Sequence, residues 1–284
     1  MEKVTNKITL LKMPPFGPPA WEVSNVYFVG EKEVVIIDAG YQTRESAYCI
    51  LDTWRSMGRP PVKAILITHA HMDHAGALAA LVEETGAPVR MHELELKFLG
   101  GMFPAERVAG TIGEGDEIEV DGMTFKVLHI PGHTPGHLCF FDDDGGILFT
   151  GDQIVGKGYA VIMPPHGNMA EYMAGLKRIS RLKLQKLLPG HGPPVDDPDA
   201  KIREYMDHRV LREIQILRHI EEGRISIPQM ADDIYSDMHP VLRHAGQYQI
   251  LSHLVKMEAE GMVKCEEGLG IDARFGSLVG KLPF

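Results

Sequence analysis

The chain has 284 residues, of which 44% are hydrophobic and 24% are charged, a composition that supports a large buried core and excludes a disordered chain. Lys and Arg number 29 against 39 Asp and Glu, and the formal net charge of −10 gives no electrostatic help to binding a phosphate backbone. No stretch approaches the roughly 18 continuous apolar residues of a membrane span. Three cysteines without paired spacing argue against a disulfide framework, and we expect a cytoplasmic protein with no membrane contact.

Short apolar runs alternate with helical patterns over the first 200 residues. Residues 23–29 and 33–38 are predicted to be paired strands that meet at Gly30. Helical spacing of apolar residues predicts helices over residues 46–57, 75–84 and 169–182. Further strands are predicted at 62–67, 88–91, 117–120, 123–129, 138–141, 146–150 and 186–188. The alternation indicates an α/β domain.

The tail beyond residue 200 has a different pattern. Residues 200–222 are predicted to form one long amphipathic helix. A second helix is predicted over 227–235, capped by Ser226, and a third over 240–260. A small hairpin follows, formed by residues 262–265 and the segment after the turn at Glu267 and Gly268. Three helices and then a hairpin is the order of a winged helix-turn-helix module. A boundary in the Pro- and Asp-rich stretch 192–199 divides the chain into domains 1–198 and 199–284.

A dense group of histidines follows the predicted strand at 62–67. His69, His71, Asp73 and His74 place three imidazoles and a carboxylate within six residues. This concentration has no packing rationale, whereas borderline cations prefer imidazole combined with carboxylate. The segment therefore predicts a metal site, and the alternative is a polar loop that is rich in histidine by chance.

Three more candidate ligands lie in glycine-flanked turns, each after an apolar run. They are His133 after Pro131-Gly132, Asp152 after Gly151, and His191 between Gly190 and Gly192. Loops at strand ends are where a rigid scaffold brings distant ligands together. Glycine beside a ligand permits the backbone angles that direct the side chain inward.

The order of these motifs resembles the metallo-β-lactamase superfamily. The motifs are IDAG at 37–40, THAHMDH at 68–74, PGHTPGH at 131–137, TGD at 150–152 and PGHG at 189–192. The resemblance implies that the first 200 residues form an αββα sandwich with a binuclear metal site at one edge. The small C-terminal domain would then be a mostly helical, winged-helix addition.

The resemblance also implies a role for each candidate. His69, His71 and His133 would hold the first metal; Asp73, His74 and His191 would hold the second; and Asp152 would bridge both. Asp38 would support the metal loops from behind the ligands, and the alternative for Asp38 is a carboxylate in a strand-end turn. The two divalent ions are predicted to be zinc because imidazole predominates, with iron or manganese as alternatives.

Two further roles concern the reaction itself. Asp73 is assigned a catalytic role in addition to its ligand role. His166, in the loop before residue 169, is a candidate proton donor to the leaving group, and the alternative is a solvent-exposed loop histidine.

His137 is expected to be structural. The loops 98–109 and 155–168 are expected to select the substrate, with apolar side chains such as Phe103 and Ile162 lining an entrance.

The tail resembles the C-terminal winged-helix domain of the beta-lactamase-like protein 2 family, through residues 208–217, 234–235 and 253–261. That family includes endoribonucleases of single-stranded RNA, and its close relatives include thioesterases of polyketide assembly. Residues 200–284 carry 11 Lys and Arg against 13 Asp and Glu, a net charge of −2. The predicted recognition helix at 245–260 offers Lys256 against two acidic residues. RNA binding normally requires a basic stripe, which this tail lacks.

We therefore expect a binuclear metal-dependent hydrolase that uses a metal-bridging hydroxide on a small-molecule acyl ester or thioester. A single-stranded RNA endoribonuclease is the alternative, which charge does not favour. A mononuclear iron sulfur dioxygenase is the third hypothesis, because such enzymes share part of this ligand set. Because the tail lacks a basic stripe, the winged helix is expected to be a substrate lid or the contact surface of a homodimer.

Overall fold

The computed structural model describes residues 1–14, 23–223, 226–266 and 270–278. The strands are β1 (Glu2–Lys3), β2 (Ile8–Lys12), β3 (Asn25–Val29), β4 (Val34–Ile37), β5 (Val62–Leu66), β6 (Val89–Met91), β7 (Gly110–Thr111), β8 (Glu117–Val120), β9 (Met123–His129), β10 (Leu138–Asp142), β11 (Ile147–Gly151), β12 (Lys186–Pro189), β13 (Val263–Cys265) and β14 (Phe275–Ser277). The helices are α1 (Arg44–Ser56), α2 (Leu78–Thr85), α3 (Met169–Ile179), α4 (Pro198–Glu221), α5 (Ile227–Ile234) and α6 (Pro240–Ala259).

The chain divides into two compact units. The first unit comprises Met1–Pro131, Gly136–Tyr159 and Leu182–Asp199, and the second comprises Gly132–Pro135, Ala160–Arg181 and Ala200–Phe284. The division of the sequence at residues 198 and 199 stays a prediction.

Two sheets form the first unit. One has seven strands in the order β1 to β7, and the other has five in the order β12, β11, β10, β9, β8. Strands β4 and β5 are parallel neighbours in the first sheet, and β11 and β12 are parallel neighbours in the second. Because parallel neighbours end at the same edge of a sheet, the loops after these four strands are brought close in pairs.

The seven-stranded sheet is covered on both faces. In β3, Tyr27 belongs to the cluster of apolar side chains between the two sheets, whereas Phe28 packs with Ile50 of α1 and Leu78 of α2. All five residues of β3 are buried, which is typical of a strand with both faces covered. Burial on both faces gives the strands that lead into the motif loops a rigid base.

The predicted strands and helices of the first unit are confirmed to within a few residues. The sequence pattern did not reveal β1, β2 or β7; β1 and β7 have two residues each, and β2 is a five-residue strand before a proline-rich segment. Residues 98–109 were expected to be a substrate-selecting loop, and short 3-10 helices lie at Glu93–Phe98 and Ala105–Arg107. Phe103 is only 1% exposed and packs in the core, so its assignment to a substrate entrance is wrong.

The second unit is mostly helical. The predicted helices of the tail are confirmed as α4, α5 and α6, and Ser226 caps α5 by accepting a hydrogen bond from the Gln229 amide. Strands β13 and β14 pair antiparallel after α6, whereas the predicted turn at Glu267 and Gly268 lies outside the described residues. Ile162 is fully buried in this unit, which contradicts its predicted place at an entrance. Among the described residues, no helix has the length and hydropathy of a membrane span.

A buried polar pair joins α4 to α6. Nδ1 of His253 lies 3.2 Å from Oε1 of Glu213, which also pairs with Lys256 at 2.9 Å. Burial lowers the pKa of His253 to about 4, although the hydrogen bond to Glu213 opposes this effect. Burial likewise lowers the pKa of His208 to about 3, and the nearby arginines add to that lowering. Both imidazoles are therefore neutral in the folded protein at pH 7.

We expect the second unit to lose stability in mild acid. Because the pKa of His253 falls from 6.5 to about 4 on folding, the unfolded chain takes up the proton first as the pH falls. Stability is therefore full above pH 6.5 and decreases as the pH approaches 4. Hydrogen exchange of peptides from α6, measured at several pH values, reports this loss locally.

The variant His253→Gln should weaken this pH dependence without abolishing it, since His208 contributes with the same sign. His244→Gln is the matched control, because His244 is an exposed histidine on the same helix. Identical pH profiles for His253→Gln and the wild-type protein would contradict the prediction.

Candidate metal centre

Asp38 connects the end of β4 to the histidine-rich loop after β5. Its Oδ1 accepts a 2.8 Å hydrogen bond from the backbone N–H of Thr68, and its Oδ2 lies 2.8 Å from Nδ1 of His74. The carboxylate is 2% exposed and its backbone has a positive φ of 63°. An acceptor at Nδ1 holds a proton there, so Nε2 of His74 is the atom that can bind a metal in place of its own proton.

The first group of candidate ligands consists of Asp73, His74 and His191, the residues predicted to hold the second metal. It is arranged around Nε2 of His74. This atom lies 3.1 Å from Nε2 of His191 and 3.6 Å from Oδ2 of Asp73. His191 Nε2 is in turn 3.2 Å from Oδ2 of Asp73. One ligand atom from each of the three residues lies within 4.8 Å of the others. The structure thus brings together the three residues predicted to share one metal.

A second group adjoins the first. Nε2 of His69 lies 2.9 Å from Nδ1 of His71 and 4.0 Å from Oδ2 of Asp152. Asp152 also contacts the first group, with Oδ1 3.4 Å from Nε2 of His74 and Oδ2 3.4 Å from Nε2 of His191. Its carboxylate therefore lies between the two groups, where a shared ligand is required.

The remaining two predicted residues lie in the second unit. His133 is 7% exposed, and its Nδ1 lies 3.0 Å from the carbonyl oxygen of Val161. Because a carbonyl only accepts hydrogen bonds, the proton of His133 is on Nδ1 and the lone pair is on Nε2. His166 is exposed, in a turn before α3.

Two residues that the sequence pattern did not mark hold the loops of the candidate ligands. The buried carboxylate of Glu95 accepts a 2.7 Å hydrogen bond from the amide of Ala70 and a 2.8 Å bond from the amide of Gly136. The Asn25 side chain donates to the carbonyls of Pro189 and Gly192, at 2.8 Å each, and so holds the turn that carries His191. No local motif marks either residue, because their partners are distant in sequence.

Glycine and His137 shape the turns around Asp152. A Cβ atom on Gly190 would lie 2.6 Å from Oδ1 of Asp152 and 2.7 Å from Cε1 of His74, so a side chain at this position would clash with both residues. Nε2 of His137 accepts a 3.1 Å hydrogen bond from the amide of Asp152. This contact supports the structural role expected of His137, which stays a prediction.

The site carries an excess of negative charge that favours cations. Burial alone would lower the pKa of His74, but the carboxylates of Asp152, Asp73 and Asp38 raise it to about 9. The same opposition raises the pKa of His191 to about 12, chiefly through Asp152 and Asp73. Protons on these imidazoles balance the carboxylates, and metal cations do so equally.

These residues fit divalent metal ions. The donor set consists of imidazole nitrogens and carboxylate oxygens, which suits zinc, iron and manganese. The two groups share Asp152, and Asp38 fixes one imidazole from behind, as an outer hydrogen-bond partner of a metal ligand does.

A family model described as the metallo-beta-lactamase superfamily matches residues 19–191. The chain belongs to this superfamily, whose members are typically hydrolases. A beta-lactamase-like protein 2 homolog of Caenorhabditis elegans is 27% identical over 93% of this chain and 88% of its own length. An atrochrysone carboxyl ACP thioesterase of Aspergillus chevalieri is 30% identical over 79% of this chain and 69% of its own. The resemblance expected from the motifs is confirmed, and the chain is an enzyme of this superfamily.

Solved structures share the fold of this chain. A metallo-beta-lactamase family protein of Thermus thermophilus has a TM-score of 0.79 at 23% identity, over 97% of this chain and all of that protein. That likeness establishes the α/β fold. The di-iron-bound form of TTHA1623 is 31% identical, with a TM-score of 0.54 over 66% of this chain and 94% of its own.

We expect Asp38→Asn to weaken metal binding by about 10- to 100-fold, the usual cost of losing an outer partner of a ligand histidine. Asn preserves the shape and tolerates positive φ, but it lacks the charge that holds the proton on Nδ1 of His74. Zinc affinity measured by competition with a chromophoric chelator gives the result. Asp121→Asn is the control, because Asp121 also has a positive φ. Equal zinc affinity in the wild-type protein and Asp38→Asn would refute the role of this carboxylate.

Proposed function

We propose that the protein is a metal-dependent hydrolase with two zinc ions, acting on an acyl ester or thioester. The observation that carries this proposal is the position of Asp152, whose two oxygens reach both ligand groups. In a site for a single iron, as in a sulfur dioxygenase, Asp73, His74 and His191 would bind no metal. Their close grouping supports the second metal.

The proposal assigns the ligands as the resemblance does. The first metal would be held by His69, His71 and His133, the second by Asp73, His74 and His191, and Asp152 would be shared. When bound, two such ions lower the pKa of water and polarise a carbonyl oxygen. The protein supplies the geometry: Asp38, His137 and Glu95 fix the ligand loops before any substrate arrives.

An acyl thioester is the substrate class that the comparisons and the charge favour. A thioesterase is among the relatives at 30% identity. Lys256, the basic residue of the predicted recognition helix at 245–260, pairs with Glu213 at 2.9 Å and with Glu260 at 2.7 Å. A lysine held by two carboxylates offers little to a phosphate backbone, which argues against RNA.

We also propose that residues 199–284 form a winged-helix-like domain. The order α4, α5, α6 and then the β13–β14 hairpin supports this assignment. Ile216, Met230, Leu254 and Phe275 come from these elements and share one apolar core, which supports their folding together.

Metal content and activity should be lost together. We expect two metal ions per wild-type chain by elemental analysis, and fewer in Asp73→Ala and Asp152→Ala. Both variants should lose at least about 100-fold in hydrolysis of an acyl thioester, because a direct ligand matters more than an outer partner. Asp144→Ala, which changes an exposed aspartate, should keep both properties.

A single-stranded RNA oligonucleotide assayed beside the thioester separates the two substrate classes. Cleavage of RNA without thioester hydrolysis would overturn the substrate proposed here. One iron per chain with oxygen uptake and no hydrolysis would overturn the hydrolase itself.

His166 is proposed as the proton donor to the leaving group. A thiolate leaves without a proton more readily than an alkoxide, because thiols have a pKa of about 8.5. We therefore expect His166→Gln to slow ester hydrolysis by about 100-fold or more, with a much smaller effect on a thioester of the same acyl group. His244→Gln, at another exposed histidine, is the control. Equal effects on both substrates would reject the role.

A further inference from the structure

A series of hydrogen bonds within the second unit links His133 to helices α4 and α6. Nδ1 of His133 lies 3.0 Å from the carbonyl oxygen of Val161. The two neighbours of Val161 are each held by a helix: Nη2 of Arg209 donates to the carbonyl of Ala160 at 2.6 Å, and the amide of Ile162 donates to Oε1 of Gln249 at 2.9 Å. The Val161 carbonyl, which accepts from His133, is therefore held in place by the hydrogen bonds of the residues before and after it.

Arg209 is an unusual residue to find in this position. It is 1% exposed and is among the largest fully buried side chains of the described residues. A guanidinium is costly to bury, and within the described part of the chain Arg209 forms no ion pair with a carboxylate. Its contacts are the Ala160 carbonyl and the ring of Tyr172, whose centroid lies 5.1 Å from Cζ. A leucine would fill the volume, but it would hold neither contact.

Tyr172 connects Arg209 to the turn that carries His133. Gly132 has a φ of 130°, and a Cβ atom there would lie 2.3 Å from the backbone nitrogen of Tyr172. The amide of Asn168 donates to the carbonyl of Gly132 at 2.8 Å. The turn that carries His133 thus lies directly against the first turn of α3, and Arg209 lies over the aromatic ring of that turn.

We propose that Arg209 and Gln249 are positioning residues for His133, and that through them helices α4 and α6 set the affinity of the metal that His133 would hold. The inference rests on the proposed function, because it assumes that His133 is a ligand. It assigns the tail a role at the metal centre that does not depend on binding a substrate or a partner.

The test measures zinc binding instead of turnover. Arg209→Gln removes the charge and the reach to Ala160, while Gln249→Met keeps the side-chain length but removes the acceptor for the Ile162 amide. Gln249→Glu keeps an acceptor oxygen and serves as the rescue variant. Zinc titrations against a chromophoric chelator, fitted to two sites, report each equivalent separately.

Two control variants match these changes. Arg212→Gln lies one turn along α4, where Arg212 packs on the ring of Tyr235 at 4.5 Å. Gln247→Met lies on α6, two residues before Gln249. Both controls should bind two equivalents as the wild-type protein does.

We expect Arg209→Gln and Gln249→Met to weaken one of the two equivalents by about 10- to 100-fold, leaving the other unchanged. Gln249→Glu should recover most of this loss. Because Gln249→Met removes a single hydrogen bond, it tests the inference even if Arg209→Gln fails to fold.

Other outcomes would overturn the inference in distinguishable ways. If Arg209→Gln and Gln249→Met both bound two zinc equivalents with wild-type affinity, the inference would be refuted and the proposed function would stand. An equal loss in Arg212→Gln would assign the effect to general loosening of α4 and refute it as well. A wild-type protein that binds no zinc would refute both the inference and the proposed function.

Discussion

The hydrogen bonds of the Asp38 carboxylate are the constraint on which the candidate metal centre depends. One oxygen holds the Thr68 amide at the start of the histidine-rich loop, and the other holds His74 at the end of that loop. The loop is therefore fixed at both ends by one buried group that comes from the neighbouring parallel strand. This arrangement needs a charge in the interior, which is tolerated because each oxygen is hydrogen-bonded. A protonated His74 or a bound cation then completes the balance of charge.

The second sheet also places two candidate ligands in the turns after parallel strands. Strands β11 and β12 are parallel neighbours, and the turns after them carry Asp152 and His191. Backbone contacts keep these turns close, since the Gly190 amide donates to the carbonyl of Gly151 at 2.8 Å. The absence of a side chain at Gly190 leaves the space in which Asp152 and His74 meet. Short glycine turns on buried strands thus achieve a precision that longer loops lack.

The sequence was sufficient to predict the main strands of the first unit and the side chains that come together there as candidate ligands, because both signals are local. Three imidazoles in six residues, and a glycine beside each distant ligand, are visible without any knowledge of tertiary contacts. Glu95, Asn25 and Arg209 were not predictable in this way. Each is a single polar residue whose partners are backbone groups 25 to more than 160 residues away. Strand β2 escaped for a related reason, since its stability comes from pairing with β3 and not from its own short pattern.

Glu95, Asn25 and Arg209 all hold backbone groups of the segments that carry or contact the candidate ligands. Glu95 holds two amides, Asn25 holds two carbonyls, and Arg209 holds one carbonyl beside the acceptor of His133. Ligand identity sets which metals are bound, whereas these outer contacts set how rigidly the ligands are presented. Members of a superfamily with the same ligands can therefore differ in metal affinity through their supporting residues. The roles proposed for Arg209 and Gln249 would place the support of His133 on α4 and α6, which hold the two neighbours of its acceptor Val161.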